Sequence, residues 1–155
     1  MKRLVLLSLL VGLSYSYINW TTEEEELRCL QCSKDTVTQA LKQLDIKYSD
    51  VVLAQVMLES GNLSSKLTRL NNNLLGMRHP KKRETTSLGS NKGYAYYTDW
   101  YSCLEDYYLY QKAVLTKKNL TKNQYINYLA KTYAKDPQYK AKLITTIKRL
   151  HDKSI

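Results

Sequence analysis

From Ser33 onward the apolar positions of the chain fall into helical spacing. Val37, Ala40, Leu41 and Leu44 recur at intervals of three and four, which predicts an amphipathic helix over residues 34–45. Ser49 is suited to cap a second helix over residues 50–60. In that stretch Val51, Val52, Leu53, Ala54, Val56, Met57 and Leu58 leave only Gln55 polar before Glu59. A helix apolar on every side is a buried, central one, and Gly61 with Asn62 stops it. A short helix over 63–70 and a tight loop at Asn71-Asn72-Asn73 follow.

The pattern then changes. Residues 77–93 are polar, basic and rich in turn formers. Gly89-Ser90-Asn91-Lys92-Gly93 reads as a hairpin loop, separating segments 84–88 and 94–98, which can pair as a small β lobe. Helical spacing resumes after Asp99, with Trp100, Leu104, Tyr107, Gln111 and Val114 along one face. Thr121-x-x-Gln124 is a capping box opening a helix over 122–133. Asp136-Pro137 supplies an N-cap and a proline for the first position of a last helix, which runs to about His151 with Ala141, Ile144, Ile147 and Leu150 inward. The expected fold is mostly α with one small hairpin lobe. There is no internal repeat or low-complexity stretch.

The first residues belong to a different kind of segment. Met1-Lys2-Arg3 is basic, residues 4–13 form an apolar run of ten, and Ser14-Tyr15-Ser16 supplies the small residues a signal peptidase needs. Ten residues are too few to cross a hydrocarbon layer of roughly 30 Å. No cysteine follows the run directly, so no lipid anchor is expected. The reading is a signal peptide at 1–16, an N-terminal arm at 17–33 and one domain at 34–151, in a protein secreted or delivered to a periplasm with no lasting membrane anchor. Within the arm, Glu23 to Glu26 is a solvated acidic run.

The chain of 155 residues carries a net charge of +10. Loss of residues 1–16 leaves 22 basic against 14 acidic residues, a net +8. Such a balance favours anionic polymers, but no nucleic-acid recognition motif accompanies it. Cys29 and Cys32 form a Cys-x-x-Cys pair, with Cys103 distant. Zinc would need two further ligands, and His79 and His151 stand alone. A thioredoxin-like site would need a βαβ frame that is not visible. No metal or organic cofactor is expected. An oxidising compartment makes a disulfide among Cys29, Cys32 and Cys103 plausible, with the pairing open.

Glu59 is the residue in which pattern and chemistry meet. It ends the apolar helix, where burial penalises a carboxylate and raises its pKa. A carboxyl kept protonated near neutral pH is what a general acid for glycoside cleavage requires. Gln55, one turn earlier, is placed to hydrogen-bond it.

Four segments carry a family resemblance. Ala54-Gln55-Val56-Met57-Leu58-Glu59-Ser60-Gly61, followed by Ser65, resembles the catalytic signature of glycoside hydrolase family 73, the peptidoglycan β-N-acetylglucosaminidases. Asn72-Asn73-Leu74-Leu75-Gly76-Met77-Arg78 is similar to that family's Asn-Asn-Leu-Phe-Gly-x-Lys segment, and Tyr96-Tyr97-Thr98-Asp99-Trp100 takes the place of its aromatic segment. Residues 133–143, Tyr-Ala-Lys-Asp-Pro-Gln-Tyr-Lys-Ala-Lys-Leu, resemble its C-terminal block. Asn62-Leu63 departs from the family's usual Trp-Gly, and Leu75 from an aromatic.

The resemblance implies a lysozyme-like α+β fold with a cleft between helical body and hairpin lobe. It implies a monomeric hydrolase of wall glycan strands cutting the β-1,4 bond after N-acetylglucosamine. Glu59 would be the proton donor, with Gln55, Asn73, Tyr97 and Tyr133 toward the substrate. Glu84, at the start of the hairpin lobe, is the candidate second carboxylate, unless the substrate's acetamido group serves as nucleophile. A lytic transglycosylase or muramidase of the same fold, and a wall-binding protein without activity, are the alternatives.

Overall fold

The structure, a computed structural model, describes residues 23–152 of the chain. The expected signal segment at 1–16 lies outside them. The chain divides into two compact units, one up to Gln31 and one from Cys32 onward. In the first, residues 23–29 form helix α1, along which Glu23, Glu25 and Glu26 are exposed. Glu24 pairs with Arg28 one turn later at 2.7 Å.

The second unit is helical apart from one hairpin. Helix α2, Lys34–Gln43, opens on a capping box between Ser33 and Thr36. Helix α3, Ser49–Glu59, is the apolar one, with Val51, Val52, Ala54, Gln55, Val56 and Met57 buried. Its N-cap is Tyr48, in the left-handed region at φ 56°, so Ser49 is the first helical residue and not the cap. Tyr48 is held there by its own hydroxyl, which donates to the Leu120 carbonyl at 2.7 Å. Helix α4, Lys66–Asn71, starts at the Ser65 cap. Helices α5, Trp100–Lys118, and α6, Lys122–Thr132, begin at the Asp99 cap and at the expected Thr121–Gln124 capping box. Helix α7 is Tyr139–Asp152.

Helix α3 sits between α2 and α7. Val51 and Ala54 meet Tyr125, Ile126 and Leu129 of α6 and Tyr139 and Leu143 of α7 in one buried cluster. Burial of a large aliphatic side chain contributes about 1.5–3 kcal/mol, so this cluster holds α3, whose last residue is Glu59, against α6 and α7.

Two expectations are corrected. In α7 the buried positions are Tyr139, Leu143 and Thr146, with Ile147 and Leu150 partly covered, while Ala141 and Ile144 face out. The helix starts at Tyr139, two residues later than proline placement suggests, and its inner stripe runs at i, i+4, i+7, i+8 and i+11 from there. It includes a threonine, so a count of aliphatic residues alone selects the neighbouring stripe. The hairpin is also tighter than expected. Strands β1, Gly89–Asn91, and β2, Tyr94–Tyr96, pair antiparallel, Gly89 opposite Tyr96 and Asn91 opposite Tyr94. Only Lys92 and Gly93 turn the chain, both at positive φ, as a two-residue hairpin loop demands.

Candidate active site

The site begins with how α3 ends. Ser60 is the C-cap and Gly61 follows at φ +58°. The Asn62 N–H bonds the Met57 carbonyl at 2.9 Å and the Gly61 N–H bonds that of Leu58 at 3.4 Å, the double bond of a Schellman stop. Ser60 is fully buried; its hydroxyl donates to the Val56 carbonyl at 2.5 Å and accepts from the Leu63 N–H at 2.8 Å. Glu-Ser-Gly therefore reads as last helical residue, side-chain cap and left-handed exit. Leu63, where the resembling family has glycine, also takes a left-handed backbone at φ 67°, a conformation costing an L-residue roughly 1–2 kcal/mol.

This stop leaves Glu59 half-buried at the mouth of a cavity of about 360 Å³, which it shares with Tyr133, Lys135, Asp136, Tyr139 and Lys142. Burial raises the Glu59 pKa above its ordinary value, and a hydrogen bond from the Tyr139 hydroxyl offsets part of the rise. Gly76 comes close to the Glu59 carboxyl. A Cβ there would lie 3.5 Å from Glu59 Oε2, and its φ is +65°. Gly76→Ala should destabilise the fold by about 1 kcal/mol through backbone strain. A melting temperature unchanged by that substitution would contradict the assigned geometry.

The Gln55 side chain bonds elsewhere than to Glu59 and is not among the residues around the cavity. It is fully buried. Its Nε2 donates to the Tyr139 hydroxyl at 3.2 Å, and its Oε1 accepts from the Tyr107 hydroxyl. Tyr107 spends its one proton on Gln55, so Tyr125, 2.7 Å away, donates to Tyr107. A buried chain of donors thus runs Tyr125, Tyr107, Gln55, Tyr139, Glu59, each group orienting the next. Tyr139 takes the contact that sequence reasoning gave to Gln55. The signal for it was the second tyrosine of the 133–143 block, close after the Asp136-Pro137 helix start.

Removing the Tyr139 hydroxyl has a signed consequence. Its bond favours the Glu59 carboxylate, so Tyr139→Phe should raise the Glu59 pKa further. An activity that needs protonated Glu59 should then persist to higher pH. The alkaline limb of the pH–rate profile should move up, and an unmoved or lowered limb would contradict the contact. The variant also leaves the Gln55 amide without its acceptor, at about 1–3 kcal/mol.

Asn73 is buried, and its amide is consumed within the protein. Its Nδ2 donates to the Met77 and Ala95 carbonyls, both at 2.9 Å, and its Oδ1 accepts from the Met77 N–H at 3.0 Å. Asn72 donates to the Tyr97 and Thr98 carbonyls at 3.1 and 3.0 Å, and Asn71 to that of Ala95 at 3.3 Å. The triplet clamps the hairpin and the Gly76 loop to the helical body, so Asn73 positions the site and does not line it. Tyr97 is corrected likewise: it is 4 % exposed, and its hydroxyl donates to Asp106 Oδ2 at 2.8 Å.

Tyr133 does line the cavity. It is half-buried, and its hydroxyl donates to the Leu75 carbonyl at 2.5 Å, tying the loop before α7 to the loop that carries Gly76. Glu84 is exposed on the segment before the hairpin and is not among the residues around Glu59. Asp136, which is among them, caps the start of α7 through the Gln138 N–H at 2.8 Å and pairs with Lys142 at 2.6 Å. Lys142 holds its carboxyl below the ordinary value.

No local pattern in the chain points to the buried partner network at Asp106. Fully buried on α5, it receives the Arg83 guanidinium at 2.5 and 3.2 Å as well as Tyr97, fastening the 78–88 segment to the helices. The three cysteines are free, so the expected disulfide is not formed. Cys103 is enclosed in the core with the Leu74 N–H on its sulfur at 3.3 Å, and burial pushes its thiol up to about 12.

The profile of the Glucosaminidase family, described as mannosyl-glycoprotein endo-beta-N-acetylglucosaminidase, matches residues 34–152. The chain belongs to the Glucosaminidase family. Its second unit is accordingly a glycoside hydrolase domain, and Glu59, Gly76, Tyr133 and Tyr139 lie inside the matched span. Among solved structures, the catalytic domain of the autolysin Auto from Listeria monocytogenes is similar at 21 % identity and a TM-score of 0.49, over 83 % of this chain and 92 % of that one. No curated protein matches the chain at a significant level.

Proposed function

We propose that this Glucosaminidase domain is an exported peptidoglycan hydrolase, an endo-β-N-acetylglucosaminidase that cleaves the β-1,4 bond after N-acetylglucosamine. The observation that carries the reading is Glu59: a carboxyl with a raised pKa, opening into a cavity at the end of a buried helix and oriented by Tyr139. In that role Glu59 gives its proton to the glycosidic oxygen as the bond to the anomeric carbon breaks. Gly76 leaves the space beside the carboxyl that a sugar needs.

Among the described residues of the cavity, the other carboxylate is Asp136, held by its cap and by Lys142. Such a site favours the substrate's own acetamido oxygen as nucleophile. That oxygen bonds to the anomeric carbon while the leaving oxygen takes the Glu59 proton. Water then attacks the same carbon, returns a proton to the Glu59 carboxylate and reopens the acetamido group. Export by residues 1–16 would bring the enzyme to the wall.

The test is a digest of purified wall followed by mass spectrometry of the new chain ends. Reducing N-acetylglucosamine ends are expected. Anhydro-muramic ends would move the protein to the transglycosylase reading, and no release at all would favour a wall-binding role without catalysis.

A further inference from the structure

A second cavity, of about 480 Å³, meets the Glu59 cavity along Tyr133, Ala134 and Lys135, which line both. One wall is the segment that carries Arg78, Pro80 and Arg83; the other is the end of α6 and the loop beyond it, with Lys131 and Lys135. No carboxylate lines it. Arg83 is neutralised by Asp106 and lies 6.0 Å over the Tyr110 ring, which fixes the wall from which Arg78 projects. Arg78, Lys131 and Lys135 are exposed and have no ion-pair partner among the described residues. Three uncompensated cations thus face one groove that opens from a sugar-sized site.

A neutral sugar ring gains nothing from that field, whereas a ligand with several carboxylates does. The glycan of the wall carries such a ligand beside each scissile bond, as the acidic peptide stem on alternate sugars. We infer that this groove is a subsite for the carboxylates of the peptide stem, read by Arg78, Lys131 and Lys135. The inference rests on the reading of the Glu59 cavity as the place of glycan cleavage. It goes beyond that reading in requiring the enzyme to distinguish stem-bearing strands from uncharged ones.

The experiment measures binding, apart from turnover. Short soluble stem-bearing glycan chains, and the same chains with their carboxylates converted to amides, are titrated calorimetrically into full-length Glu59→Gln protein. Amidation should weaken binding by about tenfold or more, equivalent to about 1.4 kcal/mol. In the same background, Arg78→Gln/Lys131→Gln/Lys135→Gln should bind both forms alike, with an unchanged melting temperature. Equal affinity of the Glu59→Gln protein for the two forms, absence of binding included, would overturn the subsite. So would a triple variant that keeps the preference. Wall hydrolysis by the parent chain reports separately on the cleavage reading.

Discussion

Glu59→Gln should abolish most of the hydrolysis of purified wall, by at least about 10²-fold, the lower range for loss of a general acid. The substitution keeps the size of the side chain and its capacity to accept the Tyr139 hydroxyl, but removes the transferable proton. Folding should not suffer. Burial raises the Glu59 pKa in the folded state, so the unfolded chain releases this proton first as pH rises. The folded state is then destabilised, relative to low pH, as pH climbs from the ordinary glutamate value through the folded one. Within that window and above it, the parent loses stability through ionisation of a half-buried group, and the glutamine variant does not. The variant should therefore melt at the same temperature as the parent or higher at neutral pH, with the difference shrinking in acid. Near-normal hydrolysis by a well-folded variant would end the catalytic assignment.

Asp106→Ala should give the largest loss of stability of any substitution considered. The Asp106 side chain is fully buried and that of Arg83 is 20 % exposed. Removing the carboxylate strands the guanidinium and takes the acceptor from the buried Tyr97 hydroxyl. Breaking a buried pair from one side costs about 3–5 kcal/mol, and partial exposure of the arginine brings the expectation to about 3 kcal/mol. For a domain of this size that lowers the melting temperature by about 10 °C. Asp106→Asn, which keeps an acceptor for Tyr97, should lose less. A loss below about 1 kcal/mol for the alanine variant would show that the network does not hold the 78–88 segment.

The helical frame was legible because its signals are local. The nearly all-apolar run of α3, the Thr121–Gln124 capping box and the return of helical spacing after Asp99 each need only a few neighbouring residues. Glu59 was legible for the same reason, since an ionisable residue at the end of an apolar helix is conspicuous. What lay hidden was how polar groups pair across long sequence distances. Gln55 meets Tyr107 and Tyr139, Asn73 meets Ala95, and Asp106 meets Arg83 and Tyr97. In the sequence Gln55, Asn73 and Tyr97 look like side chains available to a substrate; in the fold each satisfies a buried partner, as buried polar groups must. Gln55, Asn73 and Tyr97 consequently became supports of the site, Glu84 stayed outside it, and Tyr139 entered it.

The central claim is that the fold raises the pKa of the Glu59 carboxyl above its ordinary value, through burial that the Tyr139 bond only partly offsets. The most direct measurement is the titration of that carboxyl by carbon-13 NMR in the full-length protein. A midpoint above the ordinary glutamate value of 4.5, rising further in Tyr139→Phe, is the predicted result. A midpoint at or below that value would contradict it.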